Sequence, residues 1–312
     1  MKYRKLGDTN LKVSVIGIGA NQFSGGWNKH FSNSEVKKIL NHGKKLGVNF
    51  IDTAECYGNH TSESLIGESI LNSREHWVIA TKFGHNFIDK NKLINDFNPK
   101  SVLSQLEESL KALKTDYIDI YQFHSGTNDE FFQSELWDVL NDQVKSGRIK
   151  QLGLSIVNSS ILSNDHLQLK KSKEYNCKII QVVYNRLNKK VEQTVLPYCI
   201  NNHIGVIARV PLAKGHLSGK YLPNFQFPDN DIRSLHDKKQ SEIQLEKVKK
   251  IREKEVPVGV NMSQWALSWC LKHSAISCVI PGCKNLEQLE LNANTVNTDL
   301  FENDHPLNCS IN

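Results

Sequence analysis

Eight times along this chain of 312 residues a short apolar run with the composition of a buried strand gives way to a longer stretch with helical spacing. That alternation limits the fold more than any other feature of the sequence. The strand-like runs fall at 15–19, 50–52, 78–81, 117–123, 149–154, 179–183, 205–210 and 278–280. Between and after them lie helical segments at 35–45, preceded by Ser34, at 62–71, from Pro99 onward, and at 136–144, 160–175, 191–202, 242–254, 263–273 and 285–295. In the segment opened by Pro99, the residues Val102, Leu106, Leu110 and Leu113 recur on one face. Strands that alternate with helices lie parallel, and eight such units close into an α/β barrel of the (β/α)8 TIM type rather than an open sheet. The expected organisation is a single domain, 1–312. Ahead of the first unit, two short runs at 3–6 and 11–13 flank the turn-forming Gly7, Asp8, Thr9 and Asn10. They predict a hairpin that closes the bottom of the barrel.

Composition narrows the function classes. A hydrophobic content of 39% supports a core of barrel size. The net charge of +6 comes from 39 basic against 33 acidic residues, interspersed on helix faces, which argues against a nucleic-acid stripe. The basic run of Lys247, Lys249, Lys250 and Arg252 reads as a solvated helix face. Seven cysteines, odd in number and without a CxxC pair, fit a reducing, cytoplasmic setting. No signal-peptide pattern and no membrane-length apolar run is present, so no membrane partner is expected. His60, His85, His203 and His216 lack ligand spacing, and no metal is expected. The stretch 211–240 loses periodicity and reads as a lid or binding loop. Gly17, Gly19 and Gln22 form a broken GxGxxG pattern that reads as a strand end, with Asn21, Gln22, Phe23 and Trp27 lining a substrate mouth.

In parallel α/β folds chemistry gathers at the carboxyl ends of the strands. Asp52, Lys82 and His124 stand at such ends in neighbouring runs, and Tyr57 follows Asp52 in the loop of GVNFIDTAECYG. Adjacent strands lie roughly 4.8 Å apart, so these side chains can share one pocket. A phenol has a pKa of about 10 and is a poor acid at neutral pH, but a neighbouring ammonium lowers that value. Lys82 supplies the ammonium and Asp52 keeps it charged, while His124 can orient a carbonyl oxygen. Such a group protonates an alkoxide as it forms.

These residues, with ATKFG at 80–84, LEESLKALKTDYIDIYQFH at 106–124 and VIPGCKNLEQLELN at 279–292, resemble the aldo-keto reductase family over almost the whole chain. The resemblance implies a barrel that binds a nicotinamide dinucleotide without a Rossmann domain and a catalytic tetrad of Asp52, Tyr57, Lys82 and His124, with Tyr57 as general acid in reduction and base in oxidation. By position, Ser155 and Gln181 resemble the nicotinamide carboxamide contacts and Tyr184 the aromatic that stacks on the ring. PLAKGHLSGK at 211–220 resembles the pyrophosphate loop, through Pro211, Leu212, Gly215, Leu217, Gly219 and Lys220. Gly282, Lys284, Gln288 and Asn292 resemble the adenosine end of the site, where Lys284 pairs with a 2′-phosphate and favours NADP(H) over NAD(H). Two departures stand out. Ile156 follows Ser155 where related chains often carry Asn, and Lys284 stands where many carry Arg, which softens the preference for the phosphorylated cofactor.

The implied activity is reduction of an aldehyde or ketone, a small-molecule substrate whose identity rests with the loops after strands one, three and four and with the tail. The short tail after Leu300 points to an open mouth and a polar or sugar-like substrate. Two alternatives stay open: an NADPH-binding regulatory subunit with little turnover, and a sugar-processing enzyme that uses bound nicotinamide in an internal redox cycle. No interface-sized apolar stripe is evident, and a homo-oligomer is equally compatible with the sequence.

Overall fold

In the computed structural model the alternation becomes a ring. The structure describes residues 1–25, 27–89, 92–156, 166–229, 231–235, 238–302 and 304–310. An antiparallel hairpin, β1 (Tyr3–Lys5) and β2 (Lys12–Ser14), precedes β3 (Ile18–Gly19), β4 (Phe50–Asp52) and β5 (Val78–Phe83). A second hairpin, β6 (His85–Asp89) and β7 (Lys92–Asn95), then leaves the barrel. The ring resumes with β8 (Ile118–His124), β9 (Ile149–Ser155), β10 (Cys177–Val183), β11 (Gly205–Arg209) and β12 (Ile276–Ile280). The eight barrel strands run in the order β3-β4-β5-β8-β9-β10-β11-β12, every pairing parallel. Parallel bridges Ile16↔Val279 and Gly19↔Gly282 join the last strand back to the first and close it.

Side chains alternate along each strand. Phe50, Ala80, Ile120, Ile179, Ile207 and Cys278 point inward and pack with Leu6 and Val13 of the first hairpin, which plugs the bottom as expected. The opposite faces join the helices in a larger cluster around the ring. The hairpin turn seats directly on β11: Gly7 has φ +61°, and a Cβ there would lie 2.2 Å from Gly205 N, so only glycine fits. Buried Arg4 fastens the same hairpin by donating Nη1 to Leu271 O at 2.9 Å and Ile276 O at 2.8 Å.

Several elements differ from their sequence outlines. The first helix is Asn33–Lys45, capped by Ser32 and Glu35 in a reciprocal box, two residues earlier than Ser34 suggested. The hairpin β6–β7 was not legible, because its strands are short and mix apolar residues such as Phe87 and Leu93 with polar ones in no sustained alternation. Of the helix expected at 160–175, Leu167–Lys171 is helical, and residues 157–165 lie outside the described residues. The tail does not border the mouth. It returns to the bottom, where β13 (Asn308–Cys309) pairs with β1 through Tyr3↔Cys309 and Arg4↔Asn308, so among the described residues its strand lies at the opposite end from the strand-end face.

Candidate active site

Above the apolar layer inside the barrel lies a polar one, built by the same alternation. Two residues beyond Phe50, Ala80, Ile120, Ile179 and Ile207 stand Asp52, Lys82, Gln122, Gln181 and Arg209. Lys82 Nζ donates to Asp52 Oδ1 at 2.8 Å and to Thr53 O at 2.6 Å, with the lysine fully buried. The second carboxylate oxygen of Asp52 accepts from Gln181 Nε2 at 2.6 Å and Gln122 Nε2 at 3.4 Å. Every oxygen of the buried carboxylate is thereby matched, the condition under which a buried charge is tolerated.

Tyr57 leans over this layer from the loop after β4. Its ring centre lies 5.0 Å from Lys82 Nζ and 6.5 Å from the centre of the His124 ring, with the two rings nearly perpendicular. The loop is held at both ends. Tyr57 N donates to Ala54 O and Ser62 N to Tyr57 O, each at 3.1 Å, while Ser62 Oγ reaches Ala20 O at 2.9 Å. Gly58, Asn59 and His60 turn the chain through successive positive φ values into the helix Thr61–Ile70. Buried Glu63 on that helix accepts from Thr81 Oγ1 at 2.5 Å and Ser109 Oγ at 3.3 Å and ties the helix to its neighbours.

The electrostatics correct one expectation. Burial raises the Tyr57 phenol, and although Lys82 pulls it down, the net value is pushed up to about 12 rather than below 10. Burial also works to lower the Lys82 ammonium, but Asp52 and Tyr57 outweigh it and hold the group above its ordinary value. His124 is driven well below the usual imidazole value by burial, then by Lys82, His85 and Arg209, so it is neutral at physiological pH. A neutral imidazole beside a protonated phenol makes two hydrogen-bond donors of unequal acidity.

Tyr57 and Asp52 form one end of a cavity of about 450 Å³ that runs past the end of β11 to the helix Leu286–Ala293. Arg209 lines it, donating Nη2 to Ile156 O at 3.2 Å, while its Nε is buried without a hydrogen-bond partner among the described residues. The next residue, Val210, carries φ +56°, a strained conformation for a β-branched side chain of the kind that collects at functional sites. Farther along, Lys214, Lys220, Arg233 and Lys284 surround the opening. Burial lowers the pKa of Arg209, Lys214 and Lys284, and Arg209 adds to the effect at Lys214 as Arg233 does at Lys284. The cavity therefore holds more positive charge than its own acids balance. The loop after β11 crosses to the loop after β3 through the bridge Trp27↔Asp231, pinned by a bidentate Arg233–Asp231 pair at 2.8 and 2.7 Å.

The aldo/keto reductase family model matches residues 15–307. The chain belongs to the aldo/keto reductase family. Among its relatives, the uncharacterized oxidoreductase YqkF of Bacillus subtilis is 29% identical over 95% of this chain and 92% of its own. Aldo-keto reductase YhdN of the same organism is 29% identical over 93% of this chain and 87% of its own. The holo form of aldo-keto reductase AKR11C1 from Bacillus halodurans superposes with a TM-score of 0.79 at 26% identity, covering 96% of this chain and 91% of that one. Glycerol dehydrogenase AKR11B4 from Gluconobacter oxydans shares the fold with a TM-score of 0.79 at 24% identity, over 94% and 89% of the two chains. This aldo-keto reductase is an oxidoreductase, and among the described residues no helix is long and apolar enough to cross a membrane.

The residues of this reductase fit the nicotinamide dinucleotide that the family implies. Ser155 Oγ at the end of β9 is buried with no hydrogen-bond partner among the described residues, as is Arg209 Nε, and each is suited to a bound polar group. Gly282 also lines the cavity, and because a Cβ there would lie 2.8 Å from the Gln22 side chain, the glycine lets Gln22 pack closely against the end of β12. Of the residues singled out from sequence, Pro211, Leu212, Gly215 and Lys220 reach the cavity from the loop after β11. Gly282, Lys284, Gln288 and Asn292 reach it from the last strand and helix, and Asn21 and Trp27 from the loop after β3. Gly219 makes a turn at φ +74° behind it.

Three of the singled-out residues lie elsewhere. Tyr184 comes three positions after inward-facing Gln181, so it points outward, where its hydroxyl bonds Glu192 Oε1 at 2.7 Å and its ring packs on Trp269. Phe23 falls one three-residue turn after Ala20 in a 3₁₀ segment, so both are buried and only the intervening residues face the cavity. Leu217 is fully buried against Met262 and Ala266. Gln122 and Arg209 were missed. Both carry a readable signal, a polar residue two positions after an inward apolar one at a strand end.

Proposed function

We propose that this reductase uses NADP(H) to reduce an aldehyde or ketone to the alcohol, with Asp52, Tyr57, Lys82 and His124 as its catalytic tetrad. One observation carries the reading: Tyr57, backed by the buried Lys82–Asp52 pair, lies at one end of a cavity whose other end is ringed by partly buried cations. The dinucleotide supplies the hydride when bound. Tyr57 donates its Oη proton to the substrate oxygen, and Lys82 stabilises the phenolate left behind. Neutral His124 donates a hydrogen bond to the same oxygen and orients the carbonyl. Ser155 and Gln181 would hold the carboxamide of the cofactor, and the loop after β11 its phosphates. NADP(H) rather than NAD(H) is favoured by the excess positive charge about Lys284, Arg233 and Lys220. The loops after β3 and β5 and the strap after β11 are left to choose the substrate, since the tail lies at the other end of the barrel.

Lys284→Glu is expected to weaken NADPH roughly 10- to 100-fold, the worth of a charge-assisted hydrogen bond, and NADH much less. Titration of each dinucleotide by protein fluorescence reads this directly, and equal losses would remove the phosphate contact. Arg209→Met tests a different contact. Ile156 has no side-chain donor where related chains often carry Asn, and Arg209, bonded to Ile156 O with its Nε unpaired, takes over that role toward the carboxamide. The variant is expected to weaken NADPH and NADH equally, by roughly tenfold or more. Unchanged affinity for both would exclude the contact.

A further inference from the structure

Around His124 of the tetrad, four potential metal ligands converge from three separate parts of the chain. Glu55 and Cys56 precede Tyr57 in its loop, His85 opens the hairpin β6–β7, and His124 ends β8. One ligand atom from each lies within 4.8 Å of all the others. Cys56 Sγ is 3.7 Å from His124 Nδ1, and His85 Nδ1 is 3.3 Å from Glu55 Oε1. The His85 and His124 rings are 4.7 Å apart and nearly perpendicular. Tetrahedral zinc, with bonds of about 2.0–2.3 Å, sets ligand-to-ligand edges of about 3.3–3.6 Å. Two edges of the cluster are therefore close to those lengths already, and the rest, none longer than 4.8 Å, need to contract by at most roughly 1.5 Å.

A second observation points to a ligand. Glu55 is 2% exposed, and while its Oε1 accepts from the His85 backbone N at 3.0 Å, its Oε2 is buried with no hydrogen-bond partner among the described residues. A buried carboxylate oxygen left in this way costs free energy unless a cation or donor reaches it. Lys82 is not available to it, being spent on Asp52 and Thr53. One carboxylate, one cysteine sulfur and two imidazoles form a set that suits a borderline ion such as zinc and does not suit magnesium or calcium.

We infer that Glu55, Cys56, His85 and His124 form a binding site for a zinc-class divalent cation, and that occupancy reversibly inhibits the reductase. Binding converts the Cys56 thiol to a thiolate, its proton passing to solvent, and no other bond is made or broken. Inhibition follows from connectivity. Cys56 is the residue before Tyr57, so drawing it onto an ion shifts the loop that carries the phenol, and His124 becomes fixed to the same ion. Misplacing a reacting group by about 1 Å costs on the order of 100-fold in rate.

Binding is read first without turnover. Cobalt(II) added to the full-length, cofactor-free protein is expected to give a thiolate-to-cobalt charge-transfer band and tetrahedral visible bands that saturate at one equivalent. Cys56→Ala removes the charge-transfer band, His85→Ala weakens cobalt binding at least tenfold, and Cys309→Ala, which alters the other half-buried thiol, changes neither. Turnover with NADPH then falls roughly 10- to 100-fold on adding zinc, returns with a chelator, and is much less zinc-sensitive in Cys56→Ala and His85→Ala. Absence of the thiolate band, or its survival in Cys56→Ala, would overturn the site. Equal zinc inhibition in wild type and both variants would overturn the coupling. The inhibition rests on the reductase reading, whereas the cobalt spectra do not, so the two fail separately.

Discussion

Tyr57→Phe is expected to lower carbonyl reduction by about 10²- to 10⁴-fold, the range that a positioned general acid contributes, while NADPH binds as before. Only the phenolic oxygen is removed, and Phe keeps the ring above Lys82 Nζ. Loss of NADPH absorbance with a panel of aldehydes, ketones and sugars, run on both proteins, gives the comparison. Retained turnover would remove Tyr57 as the proton donor. The same pair of proteins reports the ionisation. Burial raises the phenol to about 12 in the folded cavity, above the ordinary value of about 10, so Tyr57 holds its proton throughout neutral and mildly alkaline conditions. The sign follows: stability linked to this group is present below about pH 10 and is lost as pH rises toward 12. The ultraviolet difference between wild type and Tyr57→Phe should therefore show no tyrosinate from this residue until pH nears 12. A tyrosinate signal near pH 8 would mean that Lys82 dominates over burial.

Lys82→Met acts on both turnover and stability. The ammonium is fully buried against Asp52, and its removal leaves that carboxylate facing only Gln181 and Gln122. Breaking a buried pair from one side costs about 3–5 kcal/mol, and denaturant unfolding would read the loss as a lower midpoint. Adding Asp52→Asn removes the unpaired charge, so the double variant should recover much of the stability and none of the turnover. Recovery of reduction along with stability would show that Lys82 acts only as a support. Turnover unchanged in the single variant would dismiss it from the mechanism.

Asp52, Lys82 and His124 were legible in the chain because a strand-end residue is marked locally, by the point where apolar periodicity stops and a loop begins. The same local rule outlined all eight barrel strands to within a few residues, and the opening hairpin with them. Parity was harder. Tyr184 was read as facing the cofactor and points outward, while Gln122 and Arg209 face inward unnoticed, because which side of a strand a residue takes depends on the register of the closed ring. Phe23 failed for a similar reason, since a 3₁₀ turn and an extended loop offer different faces from the same letters.

The tail shows the limit most plainly. Its strand pairs with β1 across almost the full length of the chain, through Tyr3↔Cys309, and nothing local in residues 299–310 encodes that partner. The phenol's pKa and the Glu55–Cys56–His85–His124 cluster share that dependence. The first is a balance between burial and one ammonium, and the second joins groups up to 69 positions apart. Sequence alone determined the strand-helix order and the residues set at the strand ends, because periodicity and strand termini are short-range. Only the tertiary structure decided which side chains meet, which face inward and how far each is removed from water, because those follow from ring closure and burial between distant segments.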